Sequence, residues 1–155
     1  AVSIALEEDQ QIVASVIYDA TRDELFWSEK GLGAYLNDTR LRVSERRHLS
    51  TCFLSVDHIG DNKSLGISEK LLGTVNSTRN FGSGALDLAY VAAGRIDASL
   101  QSDASLWEIA AGILMVREAG GYATNASGRP KISKDGAIIS ANTYIHHELV
   151  KTLRL

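Results

Sequence analysis

The spacing of apolar residues changes once along this chain, near Ser44, and that change restricts the available folds more than any other feature. Ahead of it the period is that of a strand. Val2, Ile4 and Leu6 alternate with small residues, Glu7-Glu8-Asp9-Gln10 makes a polar turn, and Ile12 to Tyr18 is a β-branched run. Asp19 to Asp23 forms the next polar turn and leads into Glu24-Leu25-Phe26-Trp27-Ser28-Glu29. Gly31 and Gly33 mark a tight turn into Ala34-Tyr35-Leu36, Asn37-Asp38 opens another, and Leu41 and Val43 close a last short strand. The pattern predicts an antiparallel meander with one buried face.

Past Ser44, strand and helix periods alternate. Short apolar runs predict strands at Cys52–Val56, Ile96–Leu100, Tyr122–Thr124 and Ala137–Ser140. Helical spacing predicts helices over Ser64–Val75, through Ile67, Leu71, Leu72 and Val75, and over Gly84–Ala93, through Ala85, Leu86, Ala89 and Ala93. Gly94 then caps the second of these. Trp107–Ala119 is the next helix, with Ile109, Ala110, Ile113 and Val116 inward and Gly120-Gly121 as its stop, and Tyr144–Leu153 is the last. Strands and helices in alternation imply a layered α/β (α+β) architecture. The expected organisation is residues 1–44 as antiparallel strands of a first sheet and residues 45–155 as a C-terminal α/β portion. With no low-complexity linker between them, the two parts are expected to share one body. The chain opens as Ala1-Val2-Ser3-Ile4, a strand already under way, which reads as part of a longer polypeptide.

Composition narrows the function classes. A formal charge of -3 leaves no electrostatic footprint for nucleic acid or an anionic membrane. No apolar run is long enough for a membrane span, and no basic stretch precedes apolar residues as in a signal peptide. A single cysteine, Cys52, excludes an intramolecular disulfide and a cysteine-built metal site, which fits a cytoplasmic location. The histidines His48, His58, His146 and His147 lack metal-ligand spacing, and neighbours on a helix point about 100° apart. They read as surface residues. Arg46-Arg47-His48 reads as a solvated loop, and Trp27 and Trp107 as core, Trp107 with a place beside the site because it precedes Glu108.

Two segments carry a family resemblance. Arg79-Asn80-Phe81-Gly82-Ser83-Gly84-Ala85-Leu86-Asp87-Leu88-Ala89-Tyr90 and Trp107-Glu108-Ile109-Ala110-Ala111-Gly112, continuing to Glu118-Ala119-Gly120-Gly121, are similar to the inositol monophosphatase family. Tyr18-Asp19-Ala20-Thr21-Arg22-Asp23 and Lys30-Gly31-Leu32-Gly33-Ala34 add support, as do Ala141-Asn142 and Ile145-His146. The resemblance implies an α-β-α-β-α sandwich, present here without its N-terminal part. It also implies a magnesium-dependent, lithium-sensitive phosphomonoesterase acting on inositol monophosphate or a related sugar phosphate. A homodimer, no membrane and no direct nucleic-acid partner complete the expectation. Most metal ligands and the general base of that family come from an aspartate-rich motif that this chain lacks, so the catalytic residues are expected upstream and this chain alone is expected to be inactive.

The resemblance places Glu108 at a metal-ligand position where the family has aspartate, an arm shorter by about 1.5 Å. Local pattern offers another reading. Ser105-Leu106-Trp107-Glu108 has the form of a capping box, with an acid in the first helical turn. Gln101 falls where many inositol phosphatases carry a glutamate that accepts substrate hydroxyls; its other reading is an exposed strand-end residue. Gly82, Ser83 and Gly84 open a helix whose amides and hydroxyl suit a polyol or phosphate, or else make an ordinary cap. Asp87 reads as a structural or solvent-facing acid. Departures at Glu108 and Gln101 leave a second reading open, a catalytically impaired member with a regulatory role in transcription or RNA processing. A nucleotide 3'-phosphate or fructose bisphosphate substrate ranks third.

Overall fold

The computed structural model describes residues 1–57, 69–71, 73–130 and 135–153, with Asp103, Asp135 and Gly136 described by backbone alone. The meander is there: β1 (Val2–Glu8), β2 (Gln11–Asp19), β3 (Glu24–Glu29), β4 (Gly33–Leu36) and β5 (Thr39–Arg40) pair antiparallel in sequence order. Asp9 and Gln10 join β1 to β2 with positive φ at both residues, 49° and 61°, the twist a two-residue hairpin requires. The last strand is Thr39–Arg40, ahead of the stretch holding Leu41 and Val43; Leu41 still donates its N–H to the Ala34 carbonyl at 2.7 Å and buries its side chain.

A second sheet has the order β7-β6-β8-β10-β9, from β6 (Phe53–Val56), β7 (Ser77–Arg79), β8 (Ala98–Ser105), β9 (Tyr122–Asn125) and β10 (Asp135–Ala141). Strands β6, β7 and β8 run parallel, and β10 pairs antiparallel with both β8 and β9. Strand β7 escapes the apolar pattern because it is a polar edge strand, Ser-Thr-Arg. Strand β8 runs five residues past the predicted end at Leu100, since its polar continuation is held by pairing and not by apolar burial. The helix predicted over Ser64–Val75 lies partly outside the described residues; Glu69–Leu71 are helical, and the chain turns at Gly73.

Between the sheets lie α1 (Gly84–Ala92) and α2 (Leu106–Glu118). Both are buried far more fully than a one-sided stripe. In α1, Leu88, Val91 and Ala92 are sealed along with Ala85 and Ala89, and in α2 every residue from Ala111 to Val116 is buried. A helix covered on opposite faces by sheets has no wet side to keep polar, which is why amphipathic spacing under-reads it. The two helices touch at Gly112, where a Cβ would come within 2.3 Å of the Leu88 Cβ. Gly94, at φ +66°, follows the end of α1 in a conformation only glycine takes cheaply. α3 (Thr143–Leu153) covers the far face of the second sheet and closes a second core with Leu54, Leu100, Ile139, Ile145 and Leu149. The described residues therefore stack as sheet, helices, sheet, helix.

Candidate active site

The parallel strands all run toward one end of the second sheet, and both inner helices start there. This is the crevice where α/β folds place ligands. A cleft of about 560 Å³ opens at that end, lined by Asp57, Asn80, Gly82, Ser83, Gly84, Asp87, Gln101, Ser102, Ala104 and Glu108. The five residues named from sequence, Gly82, Ser83, Gly84, Gln101 and Glu108, share this one cleft.

Each is set by its element. Gly82 takes φ +74°, and its N–H donates to Asn80 Oδ1 at 2.8 Å, so this amide is already engaged. Ser83 caps α1, its hydroxyl accepting the Leu86 N–H at 3.4 Å. The first-turn amides of α1 beyond it have no intrahelical partner and carry the positive end of the helix dipole. Gln101 is 3% exposed, not a strand-end residue in water. Just beyond it β8 is irregular: residues 102 and 103 oppose the single residue 137 of β10. The Ser102 N–H, on the β6 side of the strand, goes to Asp57, donating to both carboxylate oxygens at 2.9 Å, and the Ser102 hydroxyl lies 3.1 Å from Oδ1.

Glu108 makes the capping box that local pattern offers, and it also lines the cleft. Its Oε2 accepts the Ser105 N–H at 3.1 Å, the return bond of a capping box. The carboxylate has folded onto its own helix end without leaving the cavity.

Two acids were missed or misread. Asp57 follows the apolar run of β6, where only the parallel topology makes the strand end a cleft wall. Asp87 faces no solvent: it is 2% exposed, and among the described residues its Oδ1 has no hydrogen-bond partner. Burial pushes its carboxyl up to about 6, and the negative charge of Asp57 adds to that. The Ser55 hydroxyl beside it pulls the other way, yet reaches no partner in hydrogen-bonding geometry, so burial wins.

Other expectations change as well. Trp107 is 76% exposed, not core, because the first turn of α2 projects it outward; it lines a separate hollow with Ile4, Ala5 and Leu106 rather than the cleft. Trp27 is half-buried on the meander, stacked on Tyr35 at 4.4 Å with its indole N–H donating to Asn37. His146 is buried, not a surface residue: its Nε2 lies 2.8 Å from the Thr124 hydroxyl, and burial lowers its pKa. His48 and His147 are exposed, and His58 lies outside the described residues. Arg46 and Arg47 sit in an irregular loop but are anchored, Arg46 to Asp97 at 3.3 Å and Arg47 over the Tyr144 ring at 4.7 Å. Among the described residues no helix is long and apolar enough to cross a membrane.

Comparison with known proteins adds a lineage to this geometry. Residues 1–154 match the inositol monophosphatase family. An inositol-1-monophosphatase of Rhizobium meliloti is 41% identical over 99% of this chain and 60% of its own length. A Nus factor SuhB of Xylella fastidiosa is 37% identical over 98% of the chain and 59% of its length. Among solved structures, the extragenic suppressor protein suhB of Bartonella henselae superposes with a TM-score of 0.93 at 44% identity, covering 98% of this chain and 60% of that one. The chain thus spans about three-fifths of the length of these relatives.

Proposed function

Since the chain belongs to the inositol monophosphatase family, we propose that its cleft forms the substrate-facing part of a phosphomonoesterase acting on inositol monophosphate or a related sugar phosphate. One observation carries this: the N-termini of α1 and α2 and three carboxylates, Asp57, Asp87 and Glu108, line the same cavity. Helix N-termini attract a phosphate, whereas carboxylates repel it. A site with both accommodates a phosphate when a cation sits between.

Oxygen donors of this kind suit magnesium, a hard ion that prefers carboxylates. Among the described residues no three side chains converge as a metal cage, so Glu108 would be one ligand of a larger set. When bound, such an ion polarises a phosphoryl oxygen and activates water. The chain's own residues do the rest of what can be named. Glu108 holds its charge at the start of α2, Ser83 and the first-turn amides of α1 face the ester, and Gln101 offers an amide to a sugar hydroxyl. The family resemblance assigns the general base to the motif absent here.

The test is phosphate release from inositol 1-phosphate by the gene product that carries this chain, with magnesium and with or without lithium. Magnesium-dependent, lithium-inhibited release is expected. Failure with every sugar phosphate tried would overturn the reading. A second reading draws on the Glu108 cap: a carboxylate committed to its helix end is a poorer ligand, and the Xylella relative is named as a Nus factor. On that reading Glu108→Asp in the gene product raises a weak activity strongly, while a competent glutamate makes the same change neutral or harmful.

A further inference from the structure

Gly84 is a glycine for want of space rather than for conformation. Its φ lies outside the left-handed region that the chain's turn glycines occupy, so the backbone would accept a side chain there. A Cβ, however, would stand 2.7 Å from Gln101 Oε1 and 3.2 Å from both Cδ and Nε2, so the amide would have to leave its place. The Gln101 amide packs against the Gly84 backbone.

That contact settles which end of the amide faces where. Gln101 Nε2 donates to the Gly84 carbonyl at 3.0 Å and lies 3.5 Å from the Ser99 hydroxyl. A carbonyl only accepts, so the NH2 end is the one that must face it. Among the described residues nothing donates to Oε1, and this atom is not among those sealed from solvent, on a side chain that lines the cleft.

We infer that Gly84 is a positioning residue that acts through Gln101: its bare backbone seats the amide with nitrogen inward, so that the cleft presents a neutral acceptor to a donating hydroxyl of a polyol ligand. A carboxylate at residue 101 could not hold this pose, because both its oxygens would oppose the Gly84 carbonyl. A ligand lacking the hydroxyl, or bearing an ether in its place, has nothing to donate. The inference rests on the reading of the cleft as a sugar-phosphate site, and it is tested by readouts of two kinds.

The first needs no catalysis. In the gene product carrying this chain, the Gln101 side-chain amide protons should exchange slowly with water, and Gly84→Ala should make them exchange at the rate of a free glutamine; unchanged exchange in Gly84→Ala overturns the inference. The second is a coupling measurement on inositol 1-phosphate and its singly deoxygenated analogues with magnesium. Gly84→Ala and Gln101→Leu should each raise KM about fivefold, the worth of one hydrogen bond, with kcat little changed. For the one analogue lacking the recognised hydroxyl, neither substitution should matter. In the Gln101→Leu background Gly84→Ala should add nothing. Additive effects would show that Gly84 acts on folding or on α1 instead, and would sink the proposal. If no variant or parent hydrolyses any ester, the phosphatase reading falls while the exchange measurement still decides the seating of Gln101.

Discussion

Asp87 is the residue whose environment departs furthest from its chemistry. A carboxyl held at about 6 in the fold and near its ordinary 3.8 when unfolded binds its proton more tightly in the folded state. Stability from this group is therefore full below about pH 4 and is lost as pH rises through about 6. Asp87→Asn removes the ionisable group while keeping the shape. Relative to the parent it should be stabilising at pH 7.5, on the order of 2 kcal/mol, and near neutral at pH 4, read as the difference in unfolding free energy between the two proteins. An equal difference at both pH values would refute the buried-acid account. Glu108 poses the complementary question, since one carboxylate serves both cap and cleft. Glu108→Gln keeps an oxygen for the Ser105 N–H and discards the charge. It should shift the melting temperature by little more than a degree or two while abolishing magnesium-dependent turnover, whereas Glu108→Ala should also lose about 1 kcal/mol of cap energy.

At the scale of elements, the layer between the sheets depends on close approach. Gly112 lets α1 and α2 meet over Leu88, and a methyl there would overlap the Leu88 side chain at its Cβ, Cγ and Cδ1. Gly112→Ala should cost about 3 kcal/mol in chemical denaturation, as overpacking in a dense core does. The cost should fall when Leu88 is cut to alanine in the same molecule, because the two sites share one contact. The last helix offers an acid-sensitive counterpart. His146 packs its imidazole on Tyr122 and Thr124, joining α3 to β9, and burial lowers its pKa. The unfolded chain then binds the proton more readily, so this contribution is present above the ordinary 6.5 and is lost as pH falls below it. Amide exchange in α3 should speed up relative to α1 on acidification from about pH 7.5 to about pH 5.5. Equal protection at both values would contradict it.

On the scale of the molecule, the two halves separated by Ser44 are bound into one core. Ile17, Phe26 and Ala34 of the meander pack in the same cluster as Leu88, Ile109, Met115 and Ile138. Polar ties reinforce this: Glu118 accepts the N–H groups of Gly31 and Gly33 at 2.9 and 3.0 Å, and Arg95 grips Glu24 with two bonds at 2.6 and 2.7 Å. We expect a single cooperative unfolding transition with calorimetric and van't Hoff enthalpies in agreement, and no folded state for residues 45–155 alone. Two separable transitions would mean the halves are independent.

How much of this could be read beforehand follows from range. Strand alternation, turn residues and the Ser83 and Gly94 caps are written within a few positions of one another; the first four strands of the meander and the helices α1 to α3 lie where local pattern puts them, to within a residue or two, while the last short strand does not. The cluster of Gly82, Ser83, Gly84, Gln101 and Glu108 was also anticipated, though through likeness to relatives rather than through spacing. Contacts between distant segments had no such trace. Asp87 sits on α1 in a sequence that reads the same whether the helix meets water or a sheet, and the second sheet made it a buried acid. The strand end turned Asp57 into a cleft wall, the glycine at residue 84 met an amide seventeen residues away, and Trp107 went to the surface. Backbone preference is a property of neighbours along the chain; burial, proton affinity and shared cavities belong to neighbours in space, and only packing two sheets on two helices creates them.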